Sequence, residues 1–158
     1  MDGLYERDIL AWSEDQAARL GRLAASERAN EAGIDWANVI EEVESVGRSE
    51  FQAVESLLVE ALRHMAKLAA WPEAPATAHW TTEALAFLLG ARRRISPSMR
   101  RRLDVPGLYA DAARLVRRQA VAEGRAMAPI VDACPLTLDE LLAADADPAV
   151  LAGRLRAG

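Results

Sequence analysis

The side chains able to do chemistry fall in two blocks of opposite charge. Residues 35–60 carry seven acids, Asp35, Glu41, Glu42, Glu44, Glu50, Glu55 and Glu60, against one base, Arg48. On a helix at 100° per residue, Glu50 shares the angle of Leu68 and lies close to Ala61, inside an apolar arc, so its carboxylate is expected to be at least partly buried. A desolvated carboxylate must be paired, hydrogen-bonded or protonated. A register-fixing contact with an arginine or an indole N–H therefore competes with a catalytic or metal-binding role. Glu44 sits at the edge of the same arc and Arg48 just outside it, the spacing of an i,i+4 pair. With His64 on the arc's margin, Glu41, Glu44, Arg48, Glu50 and His64 form a candidate polar cluster.

Other chemistries find less support. Carboxylate-bridged dimetal sites in helical bundles need Glu-x-x-His on two helices plus two further inward glutamates, and that pattern is absent. The second histidine, His79, is expected to be exposed in the first turn of a helix. Cys134 precedes a helix start, where a thiol can be acidified. Nucleophilic use would require a base that no spacing supplies, so a packed, inert thiol is the simpler expectation. There is no Gly-rich phosphate loop, Gly-x-Ser-x-Gly elbow or His-Glu-x-x-His motif. No catalytic residue, cofactor-binding residue or metal ligand is assigned, and the sequence leans away from an enzyme.

The second block is basic. Between Arg92 and Arg125 stand ten arginines against Asp104, Asp111 and Glu123. Arg92, Arg93, Arg94, Arg100, Arg101 and Arg102 make a candidate anion-binding segment, since guanidinium forks suit phosphate oxygens and basic stripes give non-specific nucleic-acid affinity. The competing view has these charges facing water or the acidic helix, setting orientation alone. The overall charge of −5, the lack of interleaved aromatics and the lack of a helix-turn-helix pattern make nucleic acid the minority alternative.

These residues have to be positioned by helices. Ala occurs 33 times and Leu 20, whereas Val, Ile and Thr together reach 19 of the 158 residues, a composition that favours helix over strand. One helix is expected from Leu4 to about Ala25, interrupted over 26–33. Asp35 then caps a helix that runs to Trp71, with Trp36, Ile40, Val43, Gly47, Phe51, Val54, Leu58, Ala61, Met65 and Leu68 on one side through about ten turns. Pro72 and Pro75 end it, and a third helix follows from Ala78 to about Ile95. Ser96-Pro97 opens a short segment to Leu103. The next helix spans Gly107 to Glu123, with Leu108, Ala112, Leu115, Val116 and Ala120 inward and Gly124 as its C-terminal cap. Thr137-Leu138-Asp139-Glu140 is a capping box, and Asp147-Pro148 marks one more short helix.

Amphipathic helices joined by short connections hide their apolar stripes by packing together. The expected fold is all-α, an antiparallel bundle of about four long helices with short C-terminal helices, forming a single domain over 1–158. The lone Cys134, the acidic N-terminus and the absence of an 18-residue apolar run lead to the expectation of a soluble, cytoplasmic protein that does not enter membranes.

Several strings resemble the DUF29 family of small bacterial helical proteins. They are Tyr5-x-x-Asp8 with Trp12, Asp35 leading into Ile40-Glu41-Glu42-Val43-Glu44-x-Val46-Gly47-Arg48-Ser49-Glu50, Leu62-x-His64-Met65-x-Lys67, Trp80, Ser96-Pro97-Ser98-Met99, and Cys134-Pro135-Leu136-Thr137-Leu138. The resemblance implies an all-helical bundle and brings no activity, cofactor or substrate. The chain departs from the family pattern after Trp80, where Leu85-Ala86-Phe87-Leu88-Leu89 replaces a more polar stretch, which points to deeper burial or self-association. The expected function is a non-catalytic protein-interaction module, with protein as partner and a second copy of the chain as one candidate. The alternatives are nucleic-acid or anion binding through Arg92–Arg102, and an enzyme or metal protein using Glu and His on the long helix.

Overall fold

The structure is a computed structural model that describes residues 3–26 and 33–158. It is all-α: α1 is Leu4–Arg7, α2 Ile9–Ala24, α3 Trp36–Ala70, α4 Thr77–Arg94, α5 Pro97–Arg102, α6 Val105–Ala122, α7 Leu138–Leu142 and α8 Pro148–Gly153. The long ones are α2, α3, α4 and α6. By backbone contacts the chain divides into two compact units, 1–53 with 95–102, and 54–94 with 103–158. The first part of α3 belongs to the first unit and the remainder to the second.

In the first unit the expected helix from Leu4 is broken in two at Asp8. This residue leaves helical geometry (φ −155°, ψ 83°) and turns its carboxylate onto the backbone N–H of Ala11, capping α2. Leu10, Ser13 and Ala17 form the buried side of α2, and α5 packs on it. Most of the expected interruption over 26–33 lies outside the described residues. Helix α3 runs unbroken for 35 residues, about 52 Å at 1.5 Å per residue. Its first half is only partly covered: Trp36, Ile40, Val43 and Phe51 are half-buried, and Val39 and Val46 face water. A small unit built from helices of 16, 6 and 4 residues beside α3 has too little apolar surface to enclose a helix on all sides.

The second unit holds the denser core. From Val54 onward α3 buries Leu58, Ala61, Leu62, Met65, Ala66 and Ala69 completely. Trp80, Ala84, Leu88 and Ala91 of α4 and Leu108, Tyr109, Ala112, Ala113, Val116 and Ala120 of α6 are buried with them. Helix α6 starts two residues earlier than Gly107 because Asp104 caps it through the Gly107 N–H and Pro106 sits in its first turn. Gly124 takes φ +59° to end it. Leu115, expected inward, is 45% exposed; it lies 100° from Val116, beyond the edge of the buried arc. Leu88 is buried as part of the apolar run after Trp80, while Leu85 and Leu89 are exposed on the other side of α4.

The C-terminal stretch is stitched down by backbone polar groups. The Trp71 indole donates to the Ala126 carbonyl at 2.8 Å, and the Tyr109 hydroxyl to the Val131 carbonyl at 2.7 Å. Ile130 and Arg156 form an isolated antiparallel bridge. Both halves of the Thr137–Glu140 capping box form at the start of α7, and Asp147 caps α8. Helix α4 rests on α7 and α8.

Candidate functional site

Asp8 belongs to one sequence string and Ser96 and Ser98 to another, and the fold joins them. The Ser98 N–H donates to Asp8 Oδ2 at 2.7 Å, while the Ser98 and Ser96 hydroxyls donate to Oδ1 at 2.6 and 2.8 Å. All three residues are buried. Burial pushes the Asp8 carboxyl up, but the bonds from Ser98, Ala11 and Ser96 outweigh it and hold the carboxyl below its ordinary value. One carboxylate thus caps α2 and also takes an N–H from the first turn of α5. Beside it, Gly47 of α3 lets Ser13 and Leu10 of α2 come so near that a Cβ would stand 2.0 Å from Ser13 Oγ and 2.9 Å from Leu10 Cα. These contacts are architectural.

The candidate polar cluster does not converge. Arg48 pairs with Glu41 at 2.5 Å rather than with Glu44: seven residues make two near-complete turns, which brings Glu41 to the same side as Arg48. Glu44 and Arg48 line a small cleft of about 170 Å³ with Leu10, Glu14, Phe51 and Arg102. Glu50 is half-buried and engaged by a neighbour. His64 lies fourteen residues beyond Glu50, about 21 Å along the helix. It is buried, with Nδ1 2.8 Å from the Glu60 carbonyl and its ring 5.5 Å from that of Phe87. Burial, chiefly, lowers its pKa. Among the described residues no group of three or more His, Cys, Asp or Glu side chains could hold a metal ion. Cys134 is half-buried, and burial pushes its thiol up rather than down.

The candidate anion-binding arginines are exposed, and each triplet occupies the last turn of its helix: Arg92, Arg93 and Arg94 on α4, Arg100, Arg101 and Arg102 on α5. Cations there complement the helix dipole. Arg102 is further committed to Glu14 by a two-pronged pair at 2.5 and 2.8 Å. That pair lowers the Glu14 pKa and raises that of Arg102.

A larger concavity runs along the outer face of α6, with a volume of about 780 Å³, lined by Ala110, Arg114, Arg117, Arg118, Val121, Ala122 and Asp132. Val121 is 82% exposed. Arg117 reaches Asp132 at 2.7 Å and Arg114 reaches Asp111 at 3.3 Å; both pairs are open to water and so weak. The arginine stems add apolar surface while their heads stay solvated. The basic stretch 92–125 includes these arginines, but they lie outside the two consecutive triplets that make the candidate anion-binding segment. The signal that marks the concavity is spacing: 110, 114, 117 and 121 share one side of a helix.

Among the described residues no helix is long and apolar enough to cross a membrane. None of the curated proteins matches the chain. A crystal structure of an alpha-helical protein of unknown function from Rhodospirillum rubrum ATCC 11170 is similar, with a TM-score of 0.86 and 27% sequence identity over 99% of this chain and 100% of that one. The family model for DUF29, a domain of unknown function, matches residues 4–146, and the chain belongs to that family.

Proposed function

We infer that this chain is a non-catalytic protein-contact module whose α6 groove holds an acidic amphipathic segment of a partner protein. The observation that carries it is Val121, which stands 82% exposed on the outer face of α6 among Ala110, Ala122 and the stems of three arginines. An apolar side chain left so open on a helix whose opposite face is fully packed gains by being covered. The cationic rim selects what covers it, because complementary charge speeds encounter and rejects basic competitors. An amphipathic helix laid into a groove answers both requirements. Nucleic acid fits less well: among the described residues the lining has no aromatic ring for bases to stack on, and it includes the carboxylate of Asp132.

Fluorescence anisotropy provides the test, using a labelled helical peptide of about 20 residues with leucines on one side and glutamates beside them, and its lysine counterpart as control. The glutamate peptide is expected to bind saturably, more weakly as salt rises, and to be lost on Val121→Glu or Arg118→Glu. Equal binding of both peptides, binding of neither, or a DNA duplex that binds through these residues in place of the peptide would overturn the assignment.

A further inference from the structure

We propose that the occupant of the α6 groove is a second copy of this chain, which offers the outward stripe Asp35, Val39, Glu42 and Val46 from the start of its α3. The proposal rests on the groove assignment above and adds the partner's identity. Val39 and Val46 are 38% and 43% exposed, and Asp35 and Glu42 are exposed beside them; Asp35 accepts from the Asn38 N–H and side-chain amide, so Glu42 is the carboxylate the stripe has to offer. Their numbers step by four, three and four, as do those of Ala110, Arg114, Arg117 and Val121. Two helices that each carry such a stripe pack side by side along it.

Chemistry matches spacing. One stripe alternates acid with valine, and the other sets arginines between Ala110 and Val121. The chain as a whole carries −5, so two copies repel on net charge, and a contact between opposite local charges offsets that repulsion. Arg118 has no ion-pair partner among the described residues and is available to a carboxylate from outside. Because the donor stripe and the acceptor groove are different surfaces, the contact is heterologous. Two valines and Glu42 are a modest seam, which fits weak, reversible association.

Sedimentation equilibrium of the full chain across concentration and salt tests this. Reversible self-association that weakens with added salt is expected. Glu42→Arg and Arg118→Glu, both surface changes whose folding circular dichroism checks, should each weaken it by at least about tenfold, or about 1.4 kcal/mol. An equimolar mixture of the two variants should associate again, since the unaltered stripe of the Arg118→Glu chain fits the unaltered groove of the Glu42→Arg chain, and a chain carrying both reversals should associate as well, its reversed stripe fitting the reversed groove of the next copy. A wild-type chain that stays monomeric but binds the acidic peptide overturns the self-partner and leaves the groove assignment standing. Failure to bind the peptide as well removes both. Self-association indifferent to either reversal places the contact elsewhere and also overturns the proposal.

Discussion

Replacing Asp8 with alanine removes the acceptor of four hydrogen bonds at once: from the Ser98 N–H at 2.7 Å, the Ser98 hydroxyl at 2.6 Å, the Ser96 hydroxyl at 2.8 Å and the Ala11 N–H at 3.1 Å. Asp8, Ser96 and Ser98 are only 6%, 6% and 3% exposed, so water cannot readily replace the lost acceptor. Bonds to a charged group contribute about 1.5–3 kcal/mol each, and a stranded buried donor costs about 1–3 kcal/mol. The four act as one network and do not sum; a loss of about 3–5 kcal/mol is expected. That is a large part of the roughly 5–15 kcal/mol by which a domain is stable. Urea unfolding followed by circular dichroism reads the loss as a lower midpoint, and Asp8→Asn, which keeps one carbonyl acceptor, should fall in between. Acid supplies an independent check. Because the folded carboxyl sits below its ordinary 3.8, its stabilisation is complete above that value and fades as the pH drops through the folded pKa. The gap between wild type and Asp8→Ala should therefore hold at neutral pH and narrow below about pH 4. An Asp8→Ala midpoint within experimental error of wild type, or a gap that widens in acid, would refute the account of Asp8 as a double cap.

Gly47→Ala should destabilise despite alanine's better helix propensity, because the new Cβ meets Leu10 Cα at 2.9 Å and one helix must shift; a loss of about 1–3 kcal/mol is expected in the same urea assay. His64, whose pKa burial lowers from 6.5, should stay neutral in an NMR titration down to below that value. Its contribution to stability is present above 6.5 and declines as the pH falls from there, because the unfolded chain takes up the proton first; His64→Gln should remove that component of the pH dependence.

Local rules were legible in the sequence wherever one segment decides the outcome. The stop at Pro72, the capping box at Thr137, the cap at Asp147 and the uninterrupted course of α3 follow from side chains acting on backbone a few residues away. The break at Asp8 was not legible, because the carboxylate that ends α1 and caps α2 is held by hydroxyls some 90 residues later in the chain. Leu115 failed because periodicity gives the direction of a side chain but not the width of the surface that covers it. The polar cluster shows a related limit of the projection: a wheel collapses the length of a helix onto one circle, so residues fourteen positions apart, such as Glu50 and His64, fall on one arc.

The amino-acid order alone thus determined the all-helical class, the four long helices and most of their ends, since helix propensity, caps and the 3.6-residue period are local properties. Tertiary structure alone decided which charges became architecture and which remained available. Asp8 and Arg102 are consumed by partners distant in sequence, whereas Arg118 and Val121 are left at the surface. That division depends on which faces the packing covers, and coverage is a property of neighbours brought together in space, which no single stretch of chain encodes.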